Sequence, residues 1–117
     1  MKMVMAVIKP FKLEDVQDAL NDLDIQGMTV TEVTGYGKQK GDAVAQEKPS
    51  AQKTIGRPKF LPKLKIEMAL SDEDTPRAVE AIKTAANTGR IGDGKVFVYD
   101  LNSAVRIRTG EENEQAI

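Results

Sequence analysis

The chain has 117 residues, of which 40% are apolar and 30% charged, with a net charge of −1. That is room for one hydrophobic core and one domain spanning residues 1–117, and no overall field that would draw the molecule to nucleic acid or an anionic membrane. Cysteine and histidine are both absent. Their absence excludes disulfides, thiolate chemistry, Cys/His zinc sites, Ser-His-Asp triads and phosphohistidine intermediates, and makes a binding protein the stronger expectation.

In chain order, Met3-Val4-Met5-Ala6-Val7-Ile8 is a short apolar run stopped by Lys9-Pro10, the pattern of a strand buried on both faces. The opening Met1-Lys2-Met3-Val4-Met5 runs into that strand without a small-residue cleavage site, and no apolar run is long enough to cross a bilayer, so a cytoplasmic location without membrane insertion is expected. From Lys12, apolar residues recur at Leu13, Val16, Leu20 and Leu23, one face of a helix, with Asn21, Asp24 and Gly27 marking its end. Met28 to Thr34 alternates with β-branched residues and predicts a second strand ending at Gly35-Tyr36-Gly37. From Lys38 to Lys59 neither period is sustained. This stretch holds Lys38, Lys40, Lys48, Lys53, Arg57 and Lys59 against Asp42 and Glu47, and a patternless segment of that length between two strands is usually functional or disordered.

Phe60-Leu61-Pro62 opens a third strand, in which Leu64, Ile66, Met68 and Leu70 alternate with Lys65, Glu67 and Ala69. Between Ser71 and Pro76 the residues suit a helix start, with Thr75 as the expected cap and Pro76 in the first turn. Ala78, Val79, Ile82, Ala85 and Ala86 form the stripe of this second helix, which Gly89 is expected to end. Lys95 to Asp100 predicts a fourth strand, followed by a polar tail with Val105, Ile107 and two arginines. The order strand, helix, strand, strand, helix, strand is that of an α+β, ferredoxin-like antiparallel sheet with both helices on one face. Apolar residues on both sides of the first and third strands predict that other subunits cover the second face.

Two stretches have the chemistry of anion sites. Thr88-Gly89-Arg90-Ile91-Gly92-Asp93-Gly94-Lys95 joins helix to strand, and its glycines let backbone N–H groups approach a ligand, with Arg90 and Lys95 adding charge. The spacing is neither a P-loop nor a dinucleotide fingerprint, and alone such a connection is more often a turn. In Arg106-Ile107-Arg108, an extended backbone would send both guanidiniums to one side, where they could grip phosphate or carboxylate. Alone, the pair reads as a solvated basic edge or as partners of Glu111 and Glu112. Together the two stretches would suit a polyphosphate, converging within a chain or across a subunit boundary.

Lys9-Pro10-Phe11-Lys12, Gly27 to Val33, Gly35 to Gly41, Phe60 to Glu67, Thr88 to Val98 and Ile107-Arg108-Thr109-Gly110 together resemble the PII nitrogen regulatory family, in order along nearly the whole chain. The resemblance implies a homotrimeric signal-transduction regulator with nucleotide sites between subunits. Its T-loop would be about residues 37–59, its B-loop 88–95 and its C-loop about 102–110. It further implies that ATP and ADP compete for one site. Gly92, Asp93, Gly94 and Lys95 would embrace the phosphates with Arg90 nearby, Arg106 and Arg108 would approach from a neighbour, and Thr29, Gly35, Tyr36, Gly37 and Leu64 would lie near adenosine. Gln39 would help hold Mg²⁺, and backbone at Gly37 to Gly41, with Lys63, would receive 2-oxoglutarate. Lys40 and Glu67 would pair in another state of the loop. The T-loop would then control a partner, a membrane transporter or metabolic enzyme, most readily in nitrogen metabolism, or alternatively in inorganic-carbon handling, nitrogenase control or transport.

This sequence departs from the family pattern in the T-loop. That segment is a few residues longer than the common form, has no tyrosine between Tyr36 and Tyr99, and so lacks the usual uridylylation target. Lys38 stands where arginine is common, keeping charge without the planar fork. Two rival classes fit less well. A ferredoxin-like nucleotide kinase of the usual kind would need a histidine, and an RNA-binding sheet would need stacking aromatics, of which this chain has two tyrosines and three phenylalanines, none in an RNP-like cluster. The expectation is a regulator rather than an enzyme.

Overall fold

Alternating burial along the strands is what builds this molecule. The computed structural model describes residues 1–37 and 60–117; the expectations for Lys38, Gln39 and Lys40, and for the rest of 38–59, lie outside the described residues. Four strands, β1 (Lys2–Ile8), β2 (Thr29–Gly35), β3 (Leu61–Leu70) and β4 (Gly94–Asp100), form one antiparallel sheet in the order β2-β3-β1-β4. Two helices, α1 (Leu13–Asn21) and α2 (Asp74–Ala86), complete the ferredoxin-like α+β arrangement.

Val4, Ala6 and Ile8 of β1 and Ile66, Met68 and Leu70 of β3 point to the same face of the sheet, where they meet Val16 and Leu20 of α1 and Ala78 and Ile82 of α2. Period two on the sheet and period 3.6 on the helices bring these residues together into one core. Each fully buried Val, Leu or Ile there contributes about 1.5–3 kcal/mol relative to exposure. Leu23 lies beyond the end of α1 yet still packs against this core, because the chain reverses at Asp24 in the left-handed region, φ 60°.

The start of α2 differs from expectation. Ser71, not Thr75, supplies the capping oxygen: its Oγ accepts from the Asp74 N–H at 3.1 Å, and Thr75 is already inside the helix, buried, donating its hydroxyl to the Ser71 carbonyl at 2.7 Å. The other end also shifts. The helix stops at Ala86 because Asn87 is extended, and Gly89 (φ 78°) serves the following turn instead.

The second face of the sheet carries Met3, Met5 and Val7 beside Ala69, Glu67 and Lys65 on one side, and Tyr99, Phe97 and Lys95 on the other. Phe97 and Tyr99 are 44% and 48% exposed, and β2 and β4, the two outer strands, are exposed along most of their length. No helix in the described residues is long and apolar enough to cross a membrane.

Candidate functional site

Tight approach of β4 to β1 sets the geometry of the glycine-rich loop. Gly94 lies opposite Ile8, and a Cβ there would sit 1.7 Å from the Val7 carbonyl oxygen; its φ of 102° already belongs to glycine. Gly92 has φ 98°. Among the described residues, the N–H groups of Ile91 and Gly92 make no hydrogen bond to the protein, the pattern of backbone nests that suit an anion. Arg90 and Lys95 are exposed on either side and make no ion pair among the described residues.

The loop lines a cleft of about 740 Å³, within the size range of small-molecule sites. Its walls bring together Gly35, Tyr36, Gly37, Lys63 and the loop from Arg90 to Lys95, nine of the sequence-predicted site residues, along with Val7, Leu61 and Phe97. Tyr36 and Phe60, at the two boundaries of segment 38–59, meet ring to ring with centroids 5.5 Å apart, so the root of that segment forms one side of the cleft. Nothing in the sequence pattern pairs those rings; the antiparallel register of β2 with β3 does so.

Lys63 is 8% exposed and donates from Nζ to the Gly92 carbonyl. Burial, and then the neighbouring charge of Lys9, lower its pKa. An arriving carboxylate would favour its charged form, so this amine suits a small anion at the loop root.

Asp93 faces inward. Its Oδ2 accepts from the amides of Thr88 (2.7 Å) and Gly89 (2.9 Å), and its Oδ1 from the Thr88 hydroxyl and from Lys9 Nζ at 3.0 Å. Burial alone would raise its pKa, but these donors and the lysine charge outweigh it and hold the carboxyl well below the usual range. Lys9, 9% exposed at the end of β1, was not singled out as a site residue; a lysine before a proline gives no sign that it turns inward.

Thr29 and Arg106 lie elsewhere. They line a second groove of about 630 Å³, with Gly27, Glu67, Ala69 and Ala116, that shares no wall residue with the first cleft. Leu64 packs its side chain against the core and borders a third groove, beside Glu32 and Thr34. The arginine segment is a turn and not an extended strand: Gly110 N–H donates to the Arg106 carbonyl (2.8 Å), Arg106 N–H to the Glu111 carbonyl (2.8 Å), and Val105 bridges to Glu112. Arg106 therefore approaches Glu111 (3.9 Å) and the Ala116 carbonyl (3.4 Å), while Arg108 is exposed and has no ion-pair partner among the described residues. Ile107, between them, is 99% exposed. Glu67 lies 3.5 Å from Lys65; its expected partner Lys40 is outside the described residues.

No group of carboxylates among the described residues is arranged to hold a metal ion. Comparison with known proteins matches residues 1–111 to the family described as nitrogen regulatory protein P-II. Over 117 residues, covering the whole of both chains, the sequence is 56% identical to the nitrogen regulatory protein P-II of Rhizobium etli and 52% identical to that of Pasteurella multocida. It is 49% identical, again over both whole chains, to the nitrogen regulatory protein GlnK of Escherichia coli K12. The chain belongs to the P-II family of nitrogen regulatory proteins, which are signalling regulators and not enzymes.

Proposed function

We propose that this protein is a trimeric nitrogen regulator that reads ATP against ADP, together with 2-oxoglutarate, and reports that state to a target protein through segment 37–59. The observation that supports the reading is a pair of separate basic grooves on each chain. One is the cleft with the Ile91 and Gly92 amides beside Arg90 and Lys95; the other is the groove with Arg106 and Thr29. Two different, complementary surfaces on one chain are what a head-to-tail contact needs, and such contacts close into rings when the rotation permits. A neighbour's Arg106 and Arg108 would then complete the phosphate site, and its Thr29 would stand near the nucleoside.

The residues present fit a polyphosphate. Backbone N–H groups and guanidiniums are donors to phosphate oxygens, and positive-φ glycines allow the close approach. Mg²⁺, a hard cation that favours oxygen, would be held by the phosphates with Gln39. 2-Oxoglutarate would reach Lys63 and the backbone of Gly37 to Gly41. Because Lys63 now donates to the Gly92 carbonyl, an effector at that amine and a nucleotide on the loop share a structural element. Each ligand would shift the balance between shapes of the loop root only so far as it prefers one of them. The names of the relatives support a role in nitrogen regulation; the target would be a membrane transporter or metabolic enzyme, and the setting the cytoplasm.

Calorimetry with ATP, ADP and 2-oxoglutarate, with and without Mg²⁺, on protein of measured oligomeric state tests this. The expected result is a trimer that binds ATP and ADP in competition, with 2-oxoglutarate binding only alongside Mg-ATP. A monomer, or a protein that takes up no adenine nucleotide, overturns the reading.

A further inference from the structure

We propose that Lys9 and Asp93 are a positioning pair that holds the glycine-rich loop in its anion-accepting shape from behind, with the Asp93 carboxylate turned away from the ligand. This rests on the nucleotide reading above and assigns Asp93 a role different from the phosphate contact expected for it.

The hydrogen-bond inventory is closed. An ionised carboxylate offers about four acceptor sites, and Asp93 receives four donors: the Thr88 and Gly89 amides, the Thr88 hydroxyl and Lys9 Nζ. The Thr88 hydroxyl is likewise saturated, giving its proton to Asp93 and accepting from Lys9 Nζ (3.2 Å) and the Arg90 amide (3.3 Å). Nothing on this carboxylate remains for a metal ion or a ligand hydroxyl. Its charge, which would repel phosphate, is offset by Lys9, whose Nζ is engaged by Asp93 and Thr88.

The same bonds sort the loop's amides. Those of Thr88, Gly89 and Arg90 are consumed internally, and those of Ile91 and Gly92 make no hydrogen bond to the protein among the described residues. Glycines at positive φ have no preference of their own for that arrangement. The order comes from the carboxylate on one side and from Lys63 holding the Gly92 carbonyl on the other. Lys9 and Lys63 are the charged groups that face Asp93; Lys9 directly follows β1 and Lys63 lies in β3, so the sheet helps set the loop's shape.

The two possible roles of Asp93 predict opposite signs. If the carboxylate faced the phosphates, Asp93→Asn would remove a repulsion and tighten ATP binding. As a positioning residue its loss weakens ATP and ADP by about tenfold or more, the worth of a lost charge-assisted hydrogen bond, and leaves adenosine, which lacks phosphate, unchanged. Lys9→Met and Thr88→Val should do the same, and the double variant Lys9→Met with Asp93→Asn should lose less than the sum of the two single losses. Equal or tighter ATP binding by Asp93→Asn, or equal weakening of adenosine, overturns the proposal. Should the variants not fold, the wild-type protein answers without ligand. Its Thr88 and Gly89 amide resonances, followed from pH 6 to pH 3, should not titrate with the ordinary carboxylate midpoint of about 4; if they do, the pair does not exist. Failure of the wild type to bind ATP would sink the function reading, whereas the amide measurement reads the pair by itself.

Discussion

Glycine at 94 and glycine at 89 look interchangeable in the sequence, yet they answer to different constraints. At Gly94 the Val7 carbonyl occupies the space a side chain would need; at Gly89 the space is open and only the φ of 78° resists. Gly89→Ala should therefore cost about 1–2 kcal/mol, the left-handed penalty alone. Gly94→Ala should cost appreciably more, because β4 must move away from β1 as well. Urea denaturation of the two variants checks the order. Asp93 adds a pH dependence whose sign is set by its lowered pKa. Its contribution is complete above the unfolded carboxylate value of about 3.9 and is lost as pH falls toward the lower folded value. The stability difference between the wild type and Asp93→Asn should accordingly be smaller at pH 3 than at pH 6.

The elements were legible wherever one face is buried. Alternation in β3 and the stripe Ala78, Val79, Ile82, Ala85 and Ala86 in α2 both mark residues that pack or partly pack in the core. Element ends were less so, since several residues near each end can do the same job. Ser71 and Thr75 are both competent caps, and the choice fell to Ser71 because the chain leaving Leu70 turns there and draws the Thr75 side chain into the interior. Ser71→Ala should destabilise the protein by about 1 kcal/mol. Ile82→Ala, at a fully buried position of the same helix, should cost about 3 kcal/mol. Thermal or urea melts distinguish the two. The arginine segment is the larger miss. Projection of residues two apart presumes extended backbone, and the Gly110–Arg106 and Arg106–Glu111 bonds make a turn instead, with Glu111 close enough to engage Arg106.

At the scale of the whole molecule, the second face of the sheet is the open question that assembly would answer. Met3, Met5, Val7, Phe97 and Tyr99 lie together there, flanked by strand edges with unpaired backbone, the feature that proteins ordinarily cover or blunt. Tyr99→Glu, on that face but outside both grooves, should convert the proposed trimer to monomer in sedimentation velocity and weaken ATP binding in parallel, because neither half-site is complete alone. Loss of assembly with undiminished ATP affinity would count against a shared site.

The amino-acid sequence alone determined the order of strands and helices, the exclusion of cysteine and histidine chemistry, and the glycine-rich, basic make-up of the loop before β4, because periodicity and residue chemistry are local properties. Tertiary structure alone decided that Lys9, 84 positions before Asp93, reaches that loop, and that Thr29 and Arg106 share a groove apart from the loop's cleft. Those outcomes depend on strand register and on which face of the sheet the helices cover, and both are settled only when distant segments pack against one another.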